Sequence, residues 1–111
     1  NRLFPPKGYE FPEYLTHPQD EIDIAVTRDL ESSDFELWGA KPTETWGTSR
    51  SDALAQLNYF LENHFANFGP YEDAIREDVI IGYHSAISAL INIGLLGPTD
   101  IIEKTIKYTC Y

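Results

Sequence analysis

The chain has 111 residues, 42 % hydrophobic and 14 % aromatic, enough for one modest core and no more than one domain. Its 18 acidic and 8 basic side chains give a net charge of -10. That excludes autonomous binding to nucleic acid or to an anionic membrane, since both need clustered Lys and Arg. The single cysteine, Cys110, excludes an internal disulfide and a cysteine-built metal cluster. No apolar run reaches transmembrane length.

In chain order, the sequence opens on Asn1-Arg2-Leu3-Phe4-Pro5-Pro6 with no initiator Met and no secretory signal. The expectation is a piece from inside a longer protein, in a reducing, cytoplasmic compartment. Residues 1–45 hold five of the seven prolines, the last being Pro42, and ten acidic residues. Proline interrupts helix and sheet ladders alike. These residues read as an extended, acidic, Pro-rich connector. Phe4, Tyr9, Phe11, Tyr14, Phe35, Leu37 and Trp38 are too many apolar anchors for a free linker. Within it, Glu21 to Thr27 alternates Ile22, Ile24 and Val26 with Asp23 and Ala25: a short strand, or the first turns of a helix.

Residues 46–111 are expected to be helical, and the fold class is all-α. Thr48 or Ser49 is placed to cap a helix over about 49–67. Leu54, Leu57, Leu61, Phe65 and Phe68 would form its buried face, and Gly69-Pro70 would end it. A shorter helix is expected from Tyr71 to Arg76, then a short apolar link, Val79-Ile80-Ile81. The next helix should begin near Ser85, apolar nearly all round and therefore buried, and end at Gly94. Gly97-Pro98 then opens a last helix with Ile101, Ile102, Ile106 and Tyr108 on a buried side, and Cys110 half-buried near its end.

His84-Ser85-Ala86-Ile87-Ser88 carries the most chemistry. On a helix Ser85 and Ser88 would share a face, one turn apart. Hydroxyls beside the unpaired amides of a helix start make a ready phosphate site. Small Ala86 and Ala89 would allow close approach. The plainer alternative is that Ser85 caps the helix and Ser88 bonds back to a carbonyl, the commoner behaviour of Ser at such a place. His84 would donate to a phosphate or cap, and Asn92 would bond a neighbouring helix. Tyr71 would touch a cofactor or simply pack. His17 reads as structural and His64 as a residue on a helix flank. The doublets Glu72-Asp73 and Glu77-Asp78 read as solvated faces. There is no metal-ligand spacing, nucleophile elbow or Gly-rich phosphate loop, so no catalytic or metal residue is assigned.

The runs Phe60-Leu61-Glu62-Asn63-His64-Phe65-Ala66-Asn67-Phe68-Gly69-Pro70-Tyr71-Glu72-Asp73-Ala74-Ile75 and Tyr83-His84-Ser85-Ala86-Ile87-Ser88-Ala89-Leu90-Ile91-Asn92-Ile93-Gly94-Leu95-Leu96-Gly97-Pro98 resemble the photolyase/cryptochrome family. They are closest to its bacterial iron–sulfur branch, which includes (6-4) photolyases. The likeness covers roughly residues 46–108. It implies the first helices of an FAD-binding helical domain, preceded by the interdomain connector. Ser85 and Ser88 would then hold the FAD diphosphate, with Ala86 and Ile87 adding backbone amides, His84 at the family's frequent Thr position, and Tyr71 as the flavin-contacting tyrosine. The resemblance thus ranks the phosphate role above the cap. Two departures stand out. Ala86 replaces a frequent Arg, removing that contact, and Ala89 replaces a frequent Pro.

For a longer parent the resemblance implies a light-dependent flavoprotein, a lyase that repairs pyrimidine photoproducts in damaged DNA by photoinduced electron transfer. It admits a [4Fe-4S] cluster and an antenna chromophore there, and Cys110 falls too early for a cluster ligand. The alternatives are a cryptochrome-like photoreceptor, or a helical packing module with no ligand. The 111 residues alone are expected to be inactive, to bind neither DNA nor membrane, and to pack on the rest of the parent or self-associate.

Overall fold

The computed structural model describes residues 3–41 and 44–110, and beyond the backbone nothing is described for Glu44 and Thr45. Asn1, Arg2 and Pro42, used above, lie outside the described residues. The fold is all-α. Among the described residues there are five helices, α1 (Glu21–Glu31), α2 (Arg50–Asn63), α3 (Phe65–Tyr71), α4 (Ser88–Asn92) and α5 (Pro98–Thr109). One antiparallel pairing of two-residue strands, β1 (His17–Pro18) on β2 (Glu44–Thr45), closes the loop around α1.

α1 settles the open reading of Glu21 to Thr27 in favour of a helix, so residues 1–45 are not extended throughout. Asp20 starts it with a reciprocal cap: its side chain accepts from the Asp23 amide at 2.9 Å, and the Asp23 carboxylate accepts from the Asp20 amide at 3.0 Å. The alternating Ile22, Ile24 and Val26 are all exposed, and of the expected anchors Phe35, Leu37 and Trp38 are exposed as well.

α2 is the spine. Ser49 caps it by accepting from the Asp52 amide at 3.0 Å. Ala53, Leu57, Phe60 and Leu61 face Ile87, Leu90 and Leu96 in a single cluster, with Leu54, Phe65, Phe68, Leu95 and Ile101 packed against it. Each fully buried leucine contributes about 1.5–3 kcal/mol. The helix expected over 49–67 is broken at His64, which turns to bury its ring. Gly69-Pro70 does not end the next segment but lies inside α3. Gly69 has no Cβ to clash with the proline ring, and the helix ends within two residues, so little of the hydrogen-bond ladder is lost. No helix forms over 72–76. Turns closed by Ala74 N–H to the Tyr71 carbonyl and Val79 N–H to the Arg76 carbonyl replace it.

α4 is far shorter than expected. It starts at Ser88 rather than Ser85, and only Leu90 within it is buried. Gly94, at φ +80°, ends it where the sequence places the stop. The Leu95 amide donates to the Leu90 carbonyl at 2.9 Å and the Gly94 amide to Ile91 at 3.0 Å, a Schellman closure that seats Leu95 on the core. Gly97-Pro98 opens α5 as expected. Its apolar side is only partly covered, since Ile102, Ile106 and Tyr108 are exposed. Cys110 is exposed too, not half-buried.

An ion pair fixes the start of α5 to the start of α2. Both terminal nitrogens of Arg50 meet Asp100 at 2.7 Å, and Arg50 also donates to the Leu95 carbonyl at 2.8 Å. Asp100 accepts from the Gly97 amide as well. The Arg50 guanidinium, helped by that amide, holds the Asp100 carboxyl well below the usual carboxylate range.

Candidate functional site: the Tyr71–Ser88 loop

Tyr71, at the end of α3, and the loop from 72 to 87 carry the candidate residues. The loop is anchored by Tyr83, which is 1 % exposed. Its ring lies 5.7 Å from Tyr71, 6.4 Å from Tyr9 and 5.4 Å from Phe11, centre to centre. Arg76 stacks on the other partner, 5.0 Å above the Phe11 ring. Gly82 turns the chain into Tyr83 at φ +60°, a backbone conformation that a side chain would strain. The Tyr83 hydroxyl is buried without a hydrogen-bond partner among the described residues. Burial, with Tyr9 and Tyr71 adding to it, pushes that hydroxyl's pKa up.

His84 follows on the surface, then half-buried Ser85 and Ala86, buried Ile87 and exposed Ser88. Ala86 sits at φ +53°. A left-handed residue cannot belong to a right-handed helix. The kink has a tertiary cause: Tyr83 must bury against Phe11 and Ile87 against the α2 core, and a continuous helix from Ser85 would not serve both. Ser85 and Ser88 are therefore not on one helical face. Nor does either follow the plainer reading. The N-cap of α4 is Ile87, with no side-chain cap bond, and neither serine hydroxyl is hydrogen-bonded within the described residues. One turn and a half of helix also contributes little dipole, so any anion here would be held by hydroxyls and local amides.

Of the six residues singled out by sequence, Tyr71 is brought beside Tyr83, next to His84. Ile87 is committed to the core and offers only its backbone. Ala86 lines a cleft of about 190 Å³ whose other walls include Tyr14, Trp46, Gln56 and Ile80. The other five residues do not line it. Sequence reasoning missed two contributors, His64 and the Tyr9–Phe11 pair. His64 is 3 % exposed, with Nε2 2.8 Å from the Glu13 carbonyl oxygen and Nδ1 3.4 Å from the His84 carbonyl oxygen. The aromatic density of the first 15 residues was the signal for the pair; for His64 there was none. His17 is structural, buried with Nε2 3.3 Å from Gln56 Oε1. Asn92 is exposed. Among the described residues no group of three or more His, Cys, Asp or Glu is placed to hold a metal ion, and no helix is long and apolar enough to cross a membrane.

No family model matches the chain. It is similar to a (6-4) photolyase of Agrobacterium fabrum, 28 % identical over 92 residues, which cover 83 % of this chain and 18 % of that protein. The chain thus spans about a fifth of the relative's length. The relation to photolyases is a distant one.

Proposed function

We propose that this chain, from its distant relation to a (6-4) photolyase, is one part of a light-dependent FAD flavoprotein that repairs pyrimidine photoproducts in DNA. The observation that carries the reading is the match itself, which extends over most of this chain. A feature of the loop supports it. The hydroxyls of Ser85 and Ser88 have no intramolecular partner among the described residues, and the first amides of α4 lack a side-chain cap. Those groups fit the phosphate end of a dinucleotide. Bound FAD would supply the light-driven electron transfer.

This chain's own task is binding and orientation. Ser85 and Ser88 would donate to phosphate oxygens, and the Ala86 and Ile87 amides would add main-chain donors. His84, exposed beside them, would reach an outer oxygen. Tyr71, held by Tyr9 and Tyr83, would press its ring on the cofactor. The acidic surface gives damaged DNA no purchase, so contact with the lesion would fall to other parts of the protein.

The test uses the full-length protein that carries this segment. Flavin absorbance after purification should fall sharply in an S85A/S88A double variant whose far-ultraviolet circular dichroism is unchanged. Full flavin retention would remove the phosphate role. Blue-light repair of an oligonucleotide bearing one (6-4) photoproduct then separates a repair enzyme from a photoreceptor that binds flavin and leaves the lesion intact.

A further inference from the structure

Gln56 is a polar residue on the core face of α2. Its helical neighbours Ala53, Leu57 and Phe60 belong to the apolar cluster, and Gln56 itself is only 5 % exposed. A carboxamide in such a place costs free energy unless both of its ends are hydrogen-bonded. One end is bonded: Oε1 lies 3.3 Å from His17 Nε2, and since an amide oxygen only accepts, the histidine nitrogen donates. The other end, Nε2 with its two hydrogens, has no hydrogen-bond partner among the described residues. Nor is it sealed in the core, because the one sealed side-chain atom without a partner there is the Tyr83 hydroxyl. Gln56 lines the cleft of about 190 Å³ beside Ala86, and its amide nitrogen opens on that cleft.

The size of the cleft limits what enters it. A cavity of about 150 Å³ with apolar walls takes one benzene ring, whereas pockets for larger ligands begin at about 300 Å³. The cleft therefore suits a single ring with a small substituent, and a dinucleotide is too large for it. Tyr14 and Trp46 offer ring faces and edges to a flat guest, and Leu15, Ile80 and Ile81 add aliphatic contact. No lining side chain is charged, and a net charge of -10 disfavours an anion. The unpartnered amide hydrogens call for an acceptor. We propose that this cleft is a binding site for a small, flat, uncharged aryl amide, whose carbonyl oxygen accepts from Gln56 Nε2 while its ring lies against Trp46 and Tyr14. The site is separate from the one assigned to phosphate: Tyr71, His84, Ser85 and Ser88 do not line it. It stands whether or not those residues hold a cofactor.

The experiment titrates the intact chain with benzamide into the tens of millimolar, followed by nuclear magnetic resonance of the Gln56 side-chain amide and the Trp46 indole. Benzene serves as the ring without an acceptor. Benzamide should shift both signals along one saturating curve, with an affinity in the millimolar range that so small a ring can reach. Benzene should shift the Trp46 signal and leave the Gln56 amide in place. A Q56E variant keeps an acceptor for His17 and removes the amide hydrogens. Its affinity for benzamide should fall at least about fivefold, the worth of one net hydrogen bond, with benzene unaffected. A cleft that holds water alone would show no saturation. That result, an amide signal that benzene moves as far as benzamide does, or equal affinity in Q56E overturns the proposal. If Q56E does not fold, the two titrations of the unaltered chain still decide. None of these readouts involves flavin, so the cleft can fail as a site while the serines' phosphate role stands, and the reverse.

Discussion

Ala86 provides a substitution whose sign reports the backbone. At φ +53° an L-residue other than Gly, Asn or Asp costs roughly 1–2 kcal/mol. Ala86→Gly removes that cost. Against it stand the greater freedom of glycine in the unfolded chain, about 0.4–1 kcal/mol, and the loss of a half-buried methyl, about 0.4 kcal/mol. The net expectation is a small stabilisation, about 0.4 kcal/mol from the mid-range values. Had residue 86 been helical, as the sequence suggests, the same change would destabilise by about 1 kcal/mol or more. The two conformations are thus separated by about 1.5 kcal/mol and by sign. Urea unfolding followed by circular dichroism at the helix band measures it, with the slope checked to be unchanged. A midpoint that falls in A86G, with the same slope, refutes the left-handed turn and with it the account of why the serines part company.

Leu57 is fully buried, and Leu57→Ala should cost about 2–5 kcal/mol, enough to unfold a large fraction of so small a domain at ambient temperature, as a urea midpoint would show. Tyr83→Phe removes a buried hydroxyl without a partner and should leave stability equal or higher by about 1 kcal/mol. It should also flatten the alkaline limb. The folded pKa of Tyr83 lies above its unfolded value of 10.0, so its contribution is complete below that pH and lost as pH rises past it; midpoints from pH 8 upward read this. The Asp100 shift has the opposite sign. Its contribution is complete above the unfolded value of 3.8 and is lost as pH falls below it, so D100N should be less stable at neutral pH and less sensitive to acid, by thermal melts across the acid range.

The starts of α2 and α5 and the stop of α4 were legible because their signals are local. Ser49 caps α2, Gly97-Pro98 opens α5 and Gly94 closes α4 through contacts within a few residues of sequence. The apolar face of α2 was legible for the same reason, its spacing being that of a helix. The break at His64 was not, because the ring lies between carbonyls 51 residues before and 20 after it. The late start of α4 was not either, since Ser85 through Ile87 has a plausible helical pattern and what overrides it is the burial of Tyr83 against Phe11, far away in sequence. For the candidate site, sequence located the segment; the orientation of each hydroxyl depended on that distant packing.

Both tryptophans lie on the outside, Trp38 at 97 % and Trp46 at 58 % exposure. Their emission should already be that of indole in water while the chain is folded, and unfolding will barely change it. The same optical silence makes them reporters of encounter. Trp46 borders the cleft beside Ala86, and a shift of its emission to shorter wavelength, or its quenching, would signal that something has covered that wall.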